Sequence, residues 1–179
     1  MSYIYPMDPD PEEPSLRLPR LLFIIGATLA VGLCVRQWIL EPICVASPSM
    51  EPTLPTGTYL FLDKVTLRLR LLRRGDIVVL RSPVGEAHDL IKRVIALPGE
   101  TVELRDKKVF ISSAELDEPY VQHTRREEKL EGDNIAPLAV PEGRIFVLGD
   151  NRDESRDSSV WKDPSTGEPI RFLNSGDVL

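Results

Sequence analysis

Ser47-Pro48-Ser49-Met50 sets two hydroxyls two residues apart, shortly after an apolar segment that ends at Leu40. A serine hydroxyl attacks an amide carbonyl only when a base takes its proton. The two histidines, His88 and His123, both stand in polar surroundings, which gives a Ser-His-Asp arrangement little support. The remaining base for Ser49 is a lysine. An ordinary lysine amine, with a pKa of about 10.4, is charged at neutral pH, and burial among apolar neighbours is what lowers it. Lys92, flanked by Leu90, Ile91, Val94 and Ile95, meets that requirement best. Lys64 comes second, in a wetter stretch beside Asp63. Lys107, Lys108, Lys129 and Lys162 lie in charged or loop-like segments. A single lysine in an apolar strand is more often an edge or snorkelling residue than a base, and a single serine more often belongs to a loop. Residue types alone leave the pair open.

The elements that would carry these residues read as strands separated by turns. Residues 58–62, 76–80, 90–96, 101–104, 108–111 and 144–148 are short and rich in β-branched or aromatic side chains. Turn signals separate them, among them Pro55-Thr56-Gly57, Arg74-Gly75-Asp76, Pro98-Gly99-Glu100 and Pro141-Glu142-Gly143. Lys92 falls within a strand and Ser49 in a loop. The pattern predicts a mainly β domain with sheets folded on one another, without a long amphipathic helix or an internal repeat. Residues 112–140 are charged and weakly patterned, and read as an inserted lobe or extended loop. Lys64, Arg68, Arg70, Arg73 and Arg74 alternate with leucines, which suits either a solvated face or contact with anionic lipid headgroups.

Residues 21–40 decide localisation. The run is apolar over about 20 residues, enough to cross roughly 30 Å of hydrocarbon as a helix. A cleaved signal peptide is the competing reading, with Arg17 and Arg20 as its basic flank and Val45-Ala46 before a possible cut. Trp38 as an interfacial anchor and Arg36 near enough to the end to snorkel favour a retained span. Arg17 and Arg20 then keep residues 1–20 as a cytoplasmic tail and put residues 41–179 outside. A net charge of -6 and a pI near 5.1 argue against nucleic acid as partner. Cys34 and Cys44 form neither a metal cluster nor a disulfide framework.

Four segments in order add a resemblance. Ser47-Pro48-Ser49-Met50-Glu51-Pro52-Thr53-Leu54, Arg74-Gly75-Asp76-Ile77-Val78, Ile91-Lys92-Arg93-Val94-Ile95-Ala96-Leu97-Pro98-Gly99-Glu100 and Gly149-Asp150-Asn151-Arg152-Asp153-Glu154-Ser155-Arg156-Asp157-Ser158 resemble the boxes of the type I signal peptidases, in their single-anchor bacterial, cyanobacterial and plastid form. The resemblance implies Ser49 as nucleophile and Lys92 as general base. It implies an oxyanion hole from the Ser49 N–H and the Ser47 hydroxyl, and support of the dyad by Ser155, which bonds the lysine amine, and by Asp157. A shallow substrate pocket would be lined by Ile43, Val45 and Ile91. No metal or organic cofactor is implied. The partners are the signal peptides of preproteins, with Ala-X-Ala-like sites, and the lipid bilayer of a plasma or thylakoid membrane. Two readings of other kinds share the residues: a self-cleaving Ser-Lys protease and a tethered, non-catalytic peptide-binding β module.

This chain departs from the family pattern in two places. Ser159 stands where relatives often carry an arginine that pairs with the Asp157 position, which leaves Arg156 or Arg152 to take over. Beyond Trp161 the usual continuation is missing, and residues 162–167 read as a loop. Pro48, often glycine in relatives, fixes its own φ and biases Ser47 toward extended backbone.

Overall fold

The computed structural model describes residues 18–179, so Arg17 and the acidic residues of the N-terminal tail lie outside the described residues. Helix α1, Leu18–Trp38, has a mean hydropathy of 2.1 and buries none of its side chains. Its 21 residues rise about 32 Å, the thickness of a bilayer core. Pro19 sits in the first turn, where a missing N–H costs nothing. The helix stops at Trp38 rather than continuing to Leu40. Pro42 could not extend it, and a residue preceding proline is biased to extended backbone.

The body, residues 40–179, holds ten strands. They are β1 (Leu40–Cys44), β2 (Tyr59–Asp63), β3 (Ile77–Leu80), β4 (Leu90–Ala96), β5 (Thr101–Arg105), β6 (Lys108–Ile111), β7 (Ala114–Glu115), β8 (Ile135–Ala139), β9 (Arg144–Leu148) and β10 (Leu173–Asn174). Six match the sequence pattern closely. β1 was not anticipated: it pairs antiparallel with β2, Ile43 opposite Leu60, in a ribbon that turns Glu41, Ile43, Leu60 and Leu62 inward and leaves Tyr59 and Phe61 exposed. The stretch between β2 and β3 contains a short helix, α2 (Thr66–Leu69), whose first N–H groups at Val65 and Thr66 donate to Asp63 Oδ1.

Two four-stranded antiparallel sheets follow, in the orders β10-β9-β4-β3 and β7-β6-β5-β8. Within residues 112–140, β7 pairs with β6 and β8 with β5, and Gln122 bridges Asn151. One core cluster joins the sheets through Ile95, Val102, Val109, Phe146 and Leu148. A second, on the other face of β4 and β9, gathers Val78, Val94, Val147 and Trp161. β4 is therefore covered on both faces, and its run from Lys92 to Ala96 is buried throughout. That double cover is what removes Lys92 from water.

Candidate active site

Pro48 opens a single 3-10 turn, Pro48–Met50, that presents Ser49. Ser47 precedes it with φ -135° and ψ 155°, the extended conformation that a following proline favours. Ser49 and Met50 are buried, and the Ser49 carbonyl accepts from the Asn151 N–H at 3.1 Å, which ties the turn to the segment after β9. Gly149 lies against the same backbone: a Cβ there would overlap both the Ser49 carbonyl oxygen and the Ser155 hydroxyl. Only glycine lets the two segments approach this closely.

Lys92 Nζ donates to Ser49 Oγ at 2.8 Å, and the lysine is only 2% exposed. Burial pushes its amine below the ordinary 10.5, against the opposing pull of the carboxylates of Asp157, Glu86 and Asp150. Four of the other five lysines pair with acids: Lys64 with Glu41, Lys107 with Asp153, Lys108 with Glu115 and Lys162 with Glu131. Neither histidine makes a hydrogen bond to Ser49, although His88 lines the same cavity. His88 is largely exposed and faces Glu86 at 3.6 Å, and His123 faces Asp153 at 3.4 Å. The hydroxyls of Ser47 and Ser49 are 3.2 Å apart, so one reaches the other.

Around the pair, the structure distributes the remaining residues differently from a simple transfer of roles. The Ser155 hydroxyl is buried beside Gly149 and makes no hydrogen bond. Asp157 accepts from the Gly149 N–H at 2.9 Å through Oδ2, and from the Ser159 N–H at 3.0 Å and hydroxyl at 2.7 Å through Oδ1. Neither arginine that the sequence offered to it is its partner. Arg156 pairs with Glu86 at 3.0 Å and Arg152 with Glu118 at 2.5 Å. Ser159 thus occupies the carboxylate itself, while Arg171 donates to the carbonyls of Ser158 and Ser159.

A cavity of about 880 Å³ opens over the pair. Ile43, Val45 and Ile91, expected as the pocket, all line it together with Ser47, Ser49 and Lys92. Sequence reasoning missed Leu62, Val79 and Leu179 in its wall, because Leu62 and Val79 come from separate strands of unknown register and Leu179 from the irregular segment after β10. It read Asp150 as structural without a partner and assigned no role to Arg93 or Thr53. Arg93 donates to Asp150 from Nε at 2.8 Å and Nη2 at 2.6 Å, and the Thr53 hydroxyl donates to the same carboxylate at 2.5 Å. That network fastens β4, the segment after Ser49 and the segment after β9 to one buried acid.

The family described as signal peptidase, peptidase S26, matches residues 18–170. The chain belongs to this family. Signal peptidase I of Bacillus licheniformis is 41% identical over 140 residues, covering 75% of this chain and 73% of that protein. Probable signal peptidase I-1 of Synechocystis is 37% identical over 145 residues, covering 77% and 71%. A solved signal peptidase I from Enterococcus faecalis is 34% identical, with a TM-score of 0.45 over 61% of this chain and 94% of that one. The peptidase is therefore a serine endopeptidase that cleaves signal peptides, with a mainly β catalytic body and an apolar N-terminal helix. Among the described residues no cluster of His, Cys, Asp or Glu is arranged to hold a metal ion.

Proposed function

We propose that this signal peptidase works by a Ser49–Lys92 dyad, and the observation that carries the proposal is the 2.8 Å contact between Lys92 Nζ and Ser49 Oγ in a buried strand. Neutral Lys92 takes the Ser49 proton as Oγ bonds to the scissile carbonyl carbon. The resulting ammonium returns a proton to the leaving amine as the C–N bond breaks. Water, activated by the same amine, then hydrolyses the acyl-enzyme. The Ser49 N–H and the Ser47 hydroxyl receive the developing oxyanion. Ser155 has a free acceptor beside the dyad when Lys92 becomes an ammonium, whose three N–H groups need partners. Asp157 holds Gly149 and the 157–159 turn, and with them the backbone beneath Ser49.

Ile43, Val45 and Ile91 shape a groove for small residues, Ala-X-Ala-like, at the first and third positions before the cut. Helix α1 anchors the body in the membrane, with residues 1–20 cytoplasmic and residues 41–179 on the outer face of a plasma or thylakoid membrane. Detergent-solubilised wild type should cleave a preprotein at such a site. Ser49→Ala and Lys92→Ala should each abolish cleavage without unfolding the body, and Lys92→Arg should fail as well because a guanidinium keeps its proton. Full activity in either alanine variant refutes the dyad.

A further inference from the structure

The last residues of the chain build part of the cleft. β10 pairs with β9 at one edge of its sheet, Leu173 opposite Ile145. A few residues on, Val178 bridges Leu80, and the Leu179 N–H donates to the Val79 carbonyl at 2.9 Å, on β3 at the other edge. Residues 173–179 thus pair with both edges of the sheet and draw it toward closure. Two further contacts hold them in place. The Ser175 N–H donates to the Gly143 carbonyl at 2.9 Å, and Val178 packs on the core cluster around Trp161. Leu179, fixed in this way, lines the cavity over Ser49 and Lys92, next to Val79 and Ile91. The matched family segment ends at residue 170, so this wall lies outside it.

The register locates that wall. Lys92, which reaches Ser49, is on β4, and Val79 stands opposite Ile91 on β3, one strand away. Leu179 bonds to the outer side of β3 and so lies a second strand away, about 10 Å from the β4 backbone at the usual interstrand spacing. A leucine or phenylalanine side chain extends several ångströms farther than a methyl group along the apolar face formed by Ile91, Val79 and Leu62.

We propose that Leu179 is a specificity-determining residue that closes the apolar end of the substrate cleft and rejects large side chains at the third position before the cut. This rests on the signal-peptidase mechanism given above. On this proposal the first position, held against Ser49 by the bond being broken, is the nearer to the dyad and the third the nearer to Leu179.

Two preprotein series, with Ala, Val, Leu or Phe at the third or at the first position before the cut, test it on the full chain in detergent. Leu179→Ala should raise the Leu-to-Ala and Phe-to-Ala rate ratios at the third position about tenfold, whatever its effect on the absolute rates. The ratios at the first position should not move. Leu179→Trp should act in the opposite sense and slow the third-position Val substrate. Unchanged third-position ratios in both variants, or equal shifts at both positions, overturn the role of Leu179. If Leu179→Ala slows every substrate alike, the result with Leu179→Trp, which retains the packing mass, decides. Failure of wild type to cut the Ala substrates would instead refute the catalytic mechanism, whatever the Leu179 variants do.

Discussion

Asp150→Ala should destabilise the peptidase body by about 4 kcal/mol, because it strands a buried cation between the segments that build the site. The Asp150 side chain is 1% exposed and that of Arg93 10%. Removing one member of a buried ion pair costs about 3 to 5 kcal/mol, most of it the penalty for the charge left behind. The Thr53 hydroxyl loses its acceptor too, a further cost of about 1 kcal/mol. Arg93 is not wholly abandoned, since Nη1 still donates to the Gly75 carbonyl at 2.9 Å and the guanidinium stacks 3.9 Å over the Tyr120 ring. These contacts hold the total near the middle of the range. For a body of this size, 1 kcal/mol moves Tm by roughly 2 to 4 °C, so the expected fall is about 8 to 16 °C.

Thermal unfolding followed by circular dichroism, at fixed detergent and protein concentration, measures it. Asp150→Asn keeps one acceptor oxygen and should lose about half as much. The double variant Arg93→Met/Asp150→Leu removes both charges and should recover much of the difference. A fall of less than about 3 °C for Asp150→Ala would show that the carboxylate is not what joins these segments.

In the proposed dyad the working form of Lys92 is neutral, and its fraction grows as pH rises through a pKa that burial holds below 10.5, so kcat should climb with pH over a range lower than that of an exposed lysine. The Glu86 carboxylate favours the ammonium, hence Glu86→Gln should move the rising limb to lower pH at low salt; movement to higher pH contradicts the assignment. Ser47→Ala removes the proposed oxyanion donor and should lower kcat about 10² to 10³-fold with a smaller change in KM, whereas a loss well under tenfold makes Ser47 a loop residue. Gly149→Ala should cripple cleavage because its Cβ overlaps the Ser49 carbonyl. Adding Ser155→Ala should not rescue it, since the backbone clash remains, and rescue would mean that the crowding comes from the Ser155 side chain alone.

Much of this protein was legible along the chain. The run of apolar residues after Pro19 specifies a helix long enough to span a bilayer, and six strands were readable from β-branched runs set between turn residues. Residue types made Lys92 the best-placed lysine for Ser49, because Leu90, Ile91, Val94 and Ile95 flank it while Lys64 lies in a wetter stretch, but they left the pair open, and only the resemblance implied the dyad. β1 was hidden because Glu41-Pro42 has little strand character, and only pairing with β2 makes it one. β8 was hidden in a charged stretch for the same reason, its backbone being ordered by β5.

The tertiary structure decided what depends on distance through space. Sequence marked Asp157 for an arginine, but geometry sends Arg156 and Arg152 to Glu86 and Glu118 and leaves Ser159 to satisfy the carboxylate. It carries Leu179 to the cleft of a serine 130 positions earlier in the chain. Composition and local pattern fix which residues can form a strand or ionise. Register and burial determine which of them meet, since a side chain's neighbours across a sheet, and the solvent removed from around Lys92, depend on segments far away in the sequence.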